Sequence, residues 1–272
     1  MNLSGATWSF VGATLGEAVG IYRILGVNAV DLISAPGATI NAEKVITDPH
    51  RAAQQTKDLD VEFANLIFQF ATNFYDRALN HKDGAKRRQN IEDFKAVAEF
   101  CRAAAVPSVT VLPGVIQEGW PVKKSLEVAA ESLNEMAVIA EAKGVLLTFE
   151  AHVQSLLESP SETLAFLEAN PRLKLTLDYS HFIYHGYSHE KIDPLIPFAS
   201  HVHLRQGAKG VLQARMDQGT IDFNRIIRNL ESVGYKGFLA LEYEHDPWLR
   251  MDRVDVITET IKMRDLVLRL IT

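Results

Sequence analysis

The stretch LKLTLDYSHF, residues 173–182, decides the fold. Leu173, Leu175 and Leu177 alternate with Lys174, Thr176 and Asp178, and successive side chains of a strand point to opposite faces. The leucine face suits a layer beneath covering helices. The other face ends in an aspartate where the strand leaves the core, with a histidine three residues on.

Seven further strand candidates surround this one: LSGATWSF (3–10), AVDLIS (29–34), EFANLIFQF (62–70), SVTVLPG (108–114), VLLTFE (145–150), HVHLR (201–205) and FLALEYE (238–244). Amphipathic helical patterns lie between them, among them 91–105 and 123–144. In SPSETLAFLEANP, Ser159 serves as N-cap, Pro160 as first helical residue, Glu162 completes a capping box, and Asn170-Pro171 stops the helix. Asp222 reads as an N-cap and Gly234 as the residue past a helix end. Eight strands alternating with helices over 272 residues predict an α/β protein, a closed (β/α)8 TIM barrel forming one domain over 1–272. A doubly wound open sheet is the alternative. VGATLGEAVG after the first strand lacks the glycine-rich phosphate turn of that fold.

The same parity recurs along the last four strands. Thr148 and Glu150 oppose Leu147 and Phe149; His201 and His203 oppose Val202 and Leu204; Ala240 and Glu242 oppose Leu239 and Leu241. Glu150, Asp178, His203 and Glu242 therefore share the inward face at the C-terminal strand ends, where barrel active sites lie. Three carboxylates and an imidazole form a coherent ligand set for a divalent cation. Its oxygen-rich character suits Mn²⁺ or Mg²⁺, with Co²⁺ or Zn²⁺ also compatible. Without a cation the carboxylates would repel one another. His181 is expected in a loop above the mouth, placed to orient a substrate oxygen. His152 is expected beside Glu150, as a substrate contact or as a partner of the metal carboxylate. The long stretch LRQGAKGVLQARMDQGT offers Arg205, Gln206 and Lys209 as further substrate donors. Trp248 is placed at the barrel rim or over the mouth.

A net charge of −6, with no basic tract beyond Lys86-Arg87-Arg88 on a helical face, makes nucleic acid and anionic membranes poor partners. The single cysteine, Cys101, excludes an internal disulfide and a thiolate metal cage, and its helical context places it inside. The sequence shows no signal-peptide pattern and no apolar run of membrane-spanning length. A soluble cytoplasmic protein is expected.

LLTFEAH, LTLDYSHF, HVHLR, DQGTIDF and GYKGFLALEYE together resemble the xylose isomerase-like TIM-barrel superfamily, which includes sugar isomerases and epimerases, inosose dehydratases and endonuclease IV. The resemblance is strongest over 140–245. It implies that Glu150, Asp178, His203 and Glu242 hold a metal and that His181 touches substrate or a further metal. It also implies a sugar or polyol substrate and a possible homo-oligomer. Two positions depart from the ketose 3-epimerases: Leu156 stands for their second glutamate and Lys209 for an arginine. The loop after His203 lacks the Asp-x-His motif of the nuclease. The expected activity is a metal-dependent isomerase or epimerase, with Glu150 and Glu242 as acid/base residues acting through an enediolate. The alternatives are a dehydratase on a keto-polyol or oxidised sugar, and less readily a non-catalytic sugar-binding barrel or a nuclease cutting at abasic sites.

Overall fold

A computed structural model describes residues 1–271. The strands are β1 Asn2–Ala6, β2 Ala29–Ala35, β3 Ile40–Asn41, β4 Glu62–Phe68, β5 Ser108–Val111, β6 Leu146–Glu150, β7 Lys174–Asp178, β8 Ala199–Leu204 and β9 Phe238–Leu241. All pairings between them are parallel. They run β1-β9-β8-β7-β6-β5-β4-β2 and close through β1 against β2, so eight strands form a barrel. The two-residue β3, which the sequence reading did not anticipate, extends β2 at Ser34 and Ala35.

The helices are α1 Leu15–Ile24, α2 Ala42–Thr47, α3 Pro49–Ala53, α4 Gly84–Ala103, α5 Val122–Glu141, α6 Pro160–Ala169, α7 Tyr179–Tyr184, α8 His189–Ile192, α9 Phe223–Ser232 and α10 Val256–Ile271. Their starts are written locally. Thr14 and Glu17 form a capping box on α1, and Asp222 accepts from Arg225 N to start α9. Ser159 does precede α6, but its hydroxyl makes no cap and meets Ser161 Oγ at 3.0 Å instead. The expected box with Glu162 is absent there. Gly234, at φ 73°, follows α9 as expected.

The barrel has two unlike surfaces. Its outer face is apolar: Leu32, Leu66, Val109, Leu147, Leu175, Leu177, Val202 and Leu239 are fully buried and continuous with helix residues such as Phe94, Leu133 and Leu230. Cys101 sits in this layer, fully buried on α4. The inner face is polar. The hydroxyls of Thr110, Thr148 and Thr176, on three adjacent strands, form a triangle with sides of 2.9, 2.8 and 2.8 Å. Asn65 Nδ2 donates to Thr110 Oγ1 at 2.8 Å and Ser108 Oγ donates to Asn65 Oδ1 at 2.8 Å. Every member of this inner network is buried, so each hydrogen bond saves the cost of an unpaired polar group.

Closure at β1 depends on a missing side chain. Gly5 faces α1, where the Tyr22 ring fills the space: a Cβ on Gly5 would stand 2.1 Å from Tyr22 Cε1. The Tyr22 hydroxyl donates to Ala6 O at 3.0 Å and meets Ser9 Oγ at 3.1 Å. The first strand stops at Ala6 and turns into a 3-10 segment at Thr7–Ser9, earlier than the expected end at residue 10. Among the described residues no helix is long and apolar enough to cross a membrane.

Candidate metal centre and active-site cavity

Strand register brings the four candidate ligands together. Asp178, the last residue of β7, lies directly beside His203 of β8. Glu150 ends β6, and Glu242 follows β9, its N–H still bonded to Leu204 O at 3.0 Å. One potential ligand atom from each of Glu150, Asp178, His203 and Glu242 lies within 4.8 Å of the others. All four residues are buried.

His203 stands at the centre. Its Nδ1 lies 2.8 Å from Glu150 Oε1 and 3.2 Å from Glu242 Oε2. Burial would lower the basicity of this imidazole, but Glu242 and Glu150 carry it well above its usual value. Burial would likewise raise Glu150, and the His203 charge outweighs it and holds the carboxyl low. Glu242 Oε2 is buried and has no hydrogen-bond partner. Its nearest cationic neighbours are His203 Nδ1 at 3.2 Å and Arg205 Nη2 at 3.7 Å, and a buried carboxylate oxygen without a hydrogen bond is costly unless a cation offsets it. The donor set therefore fits a divalent ion: carboxylates plus one imidazole, with an open oxygen aimed into their midst.

Arg205 lies just beyond β8 on the same face as His203. It is 2% exposed, with Nη2 at 2.8 Å from Asp178 Oδ2, Nη1 at 2.8 Å from Glu244 Oε1 and Nε donating to Ser180 Oγ at 2.9 Å. Burial opposes its charge, and Asp178, Glu242 and Glu244 more than restore it. Glu244 is pushed up to about 7, by burial first and then by the charge of Glu242.

His181 lies in α7 rather than in a loop, because the Asp178 carboxyl caps that short helix by accepting from Ser180 N at 2.7 Å. Its Nε2 is 3.0 Å from Arg205 Nη2 and 3.4 Å from Asp178 Oδ2. Burial, reinforced by the neighbouring His152, Arg205 and His203, holds it well below the usual histidine value and hence neutral. The His152 ring lies 4.1 Å from that of His181 and stacks on Trp248 at 5.4 Å and 12°. Burial keeps this imidazole low as well.

Above the four ligands opens a cavity of about 600 Å³. Its lining combines the polar side chains of Glu150, His152, Arg205, Glu242 and Glu244 with the apolar ones of Trp8, Phe68 and Phe74. Trp248 belongs to the lining, so it faces the mouth as well as packing on His152. Gln206 and Lys209 are not part of it. Gln206 alternates to the opposite side from Arg205, where its Oε1 accepts from Ile221 N at 2.8 Å and its Nε2 donates to Ile221 O at 3.2 Å. It clips the loop shut against Gly219, where a Cβ would stand 2.2 Å from the Gln206 side chain. Lys209 packs its stem on Gly186. Both residues were expected at the substrate, and strand alternation and loop closure turn them elsewhere.

The sequence reading does not single out Ser180, Glu244 and Asp31, nor the apolar lining residues such as Trp8 and Phe74. Glu244 shares the parity of Glu242, which was a usable signal. Asp31, on β2, reaches the site only across the closed barrel.

A model of the xylose isomerase-like TIM barrel family matches residues 22–266. The inosose dehydratase of Clostridium perfringens is 26% identical over 139 residues, covering 43% of this chain and 47% of the relative. The chain thus spans about half the length of the curated relatives it matches. Among solved structures, L-ribulose 3-epimerase superposes with a TM-score of 0.77 at 20% identity, over 99% of this chain and 95% of that one. The crystal structure of IOLI protein with a binding zinc atom gives 0.75 at 16%, over 100% and 98%. At such identities these two likenesses establish the fold alone.

Proposed function

The chain belongs to the xylose isomerase-like TIM barrel family, and on that premise we propose that it is a metal-dependent isomerase or epimerase of a sugar or keto-polyol. One observation carries this reading. Glu150, Asp178, His203 and Glu242 converge within 4.8 Å under an open cavity, and Glu242 Oε2 there accepts no hydrogen bond.

In this reading the four residues hold a divalent cation, Mn²⁺ or Mg²⁺ by the oxygen-rich donor set, with Co²⁺ or Zn²⁺ also compatible. Such an ion supplies the positive charge that stabilises an enediolate formed from the substrate. The chain does the rest. Glu150 and Glu242, both beside His203 Nδ1 and both lining the cavity, are the acid/base pair: one carboxylate takes the proton α to the substrate carbonyl and the other returns one. Return to the neighbouring carbon, with the hydroxyl proton passing to the former carbonyl oxygen, isomerises; return to the opposite face of the same carbon epimerises. Neutral His152, on the cavity wall, offers a hydrogen bond to a substrate oxygen, and His181 packs behind it. Arg205 fixes Asp178 and Glu244, so its role is to hold carboxylates rather than to grip substrate. The aromatic wall of Trp8, Phe74 and Trp248 excludes water from the reacting carbons.

A second reading is a dehydratase, in which the same enediolate loses a β-hydroxyl. The sequence similarity to inosose dehydratase favours it. α-Proton exchange with D₂O tests both. Candidate ketoses, inososes and keto-acids are incubated with protein stripped by EDTA and then resupplied with Mn²⁺. Exchange should vanish on stripping, return on resupply, and be lost in Glu150→Gln and Glu242→Gln. A protein that binds Mn²⁺ yet exchanges no proton from any of these compounds refutes the proposal. Nicking of abasic DNA would point to a nuclease instead.

A further inference from the structure

Beneath the candidate metal centre lies a second buried cluster that the proposed chemistry does not use. Asp31 on β2 is fully buried and points into the barrel. Its two carboxylate oxygens are separately engaged. Oδ1 accepts from Ser4 Oγ at 2.6 Å, and Oδ2 faces His201 Nε2 at 2.5 Å. The same Oδ2 is also the carboxylate oxygen facing His203 Nε2, at 3.8 Å. His201 and His203 stand two residues apart on one face of β8, their rings 5.2 Å apart and nearly perpendicular. One carboxylate from the far side of the barrel thus faces two imidazoles of β8.

The chemistry of His203 makes this arrangement consequential. A neutral imidazole carries one proton on one of two nitrogens, and a ligand nitrogen must be the bare one. Nδ1 of His203 faces Glu150 and Glu242, so a cation in their midst takes Nδ1. The proton must then stay on Nε2. That atom is buried and lacks a hydrogen-bond partner, and an N–H left so is costly. Asp31 Oδ2 is the negative charge on that side of the ring. Trp8 meets the ring edge-on at 6.3 Å.

We infer that Asp31 is a positioning residue for the metal: its carboxylate, held by Ser4 and His201, fixes the His203 tautomer with the proton on Nε2 and the Nδ1 lone pair toward Glu150, Asp178 and Glu242. The inference rests on the proposed metal site but not on the proposed reaction. Charge matters more than shape here, since asparagine fills the same space without the negative oxygen. Outer carboxylates of this kind change metal affinity by roughly 10–100-fold.

The test compares wild type with Asp31→Asn by Mn²⁺ titration followed by electron paramagnetic resonance, alongside thermal melts in EDTA. Affinity for Mn²⁺ should fall by about 10-fold or more. Unchanged affinity in a folded variant overturns the inference. A variant that does not fold leaves the decision to a second measurement on wild type alone. Histidine ¹H–¹⁵N correlation spectra of the Zn²⁺-loaded protein should show His203 protonated at Nε2, and a proton on Nδ1 refutes it. A purely structural Asp31 would move the melt without dictating either readout. Wild type that binds neither ion sinks the metal site and this inference together. Wild type that binds them without exchanging substrate protons removes only the proposed reaction.

Discussion

Arg205→Met removes a guanidinium while keeping most of the volume of its stem. In the structure that guanidinium serves two carboxylates, Asp178 and Glu244, each at 2.8 Å, and Ser180 Oγ at 2.9 Å. Its side chain and that of Asp178 are 2% and 1% exposed, so solvent cannot replace what is lost. Removing one partner of a buried pair costs about 3–5 kcal/mol, because the other charge stays behind. Urea unfolding in EDTA, followed by circular dichroism, should therefore show a loss of about 4 kcal/mol. For a domain of this size that corresponds to about 8–16 °C in melting temperature. Adding Glu244→Gln to the variant should recover part of the loss, with a coupling of about 0.5–3 kcal/mol, because one stranded carboxylate is then neutral. A loss below about 1 kcal/mol would mean that these pairs behave as surface ion pairs, and the argument from burial would fail.

Three other outcomes are expected. Gly5→Ala should cost about 1–3 kcal/mol by denaturant unfolding, because the new methyl lands 2.1 Å from the Tyr22 ring; an unaltered midpoint would contradict the packing at β1. Glu99 is held down to about 2 by hydrogen bonds from Arg102 and then Lys143, so its contribution is complete above the unfolded carboxyl value and lost as pH falls through about 2. Wild type should accordingly exceed Glu99→Gln in stability at pH 7 and converge with it near pH 2, and a gap that persists in acid would refute the assignment. Cys101 is fully buried, and burial pushes its thiol up, so a thiol reagent should leave the native protein unmodified and label it in urea; fast labelling of native protein would contradict its placement.

Much of this was legible in the sequence because two-residue alternation survives in parallel strands whose inner face is polar. LKLTLD, VLLTFE and HVHL each mark both faces, and register then lines up Asp178 with His203. Legibility ended where alternation ended. The first strand was read too long because WSF continues the apolar tone through a 3-10 turn. Gln206 was grouped with Arg205 by adjacency, although neighbours in an extended chain point opposite ways. His181 is expected in a loop on the ligand role of Asp178 alone, but the same carboxyl also caps α7 and draws His181 into that helix. Asp31 is out of reach of a sequence reading, since its partners Ser4 and His201 lie 27 and 170 residues away and meet it only when the barrel closes.

The threonine triangle has a consequence for how this barrel can change. Three hydroxyls bonded pairwise form a closed ring, so exchanging any one for valine removes two of the three bonds and leaves the remaining pair with one, although the shape is kept. On the outer wall a leucine can become isoleucine with modest repacking. Substitution is therefore easier in the storeys above the ring, where Glu150 and Glu242 line the cavity, and the ring itself acts as a floor that variants keep at less cost than they change.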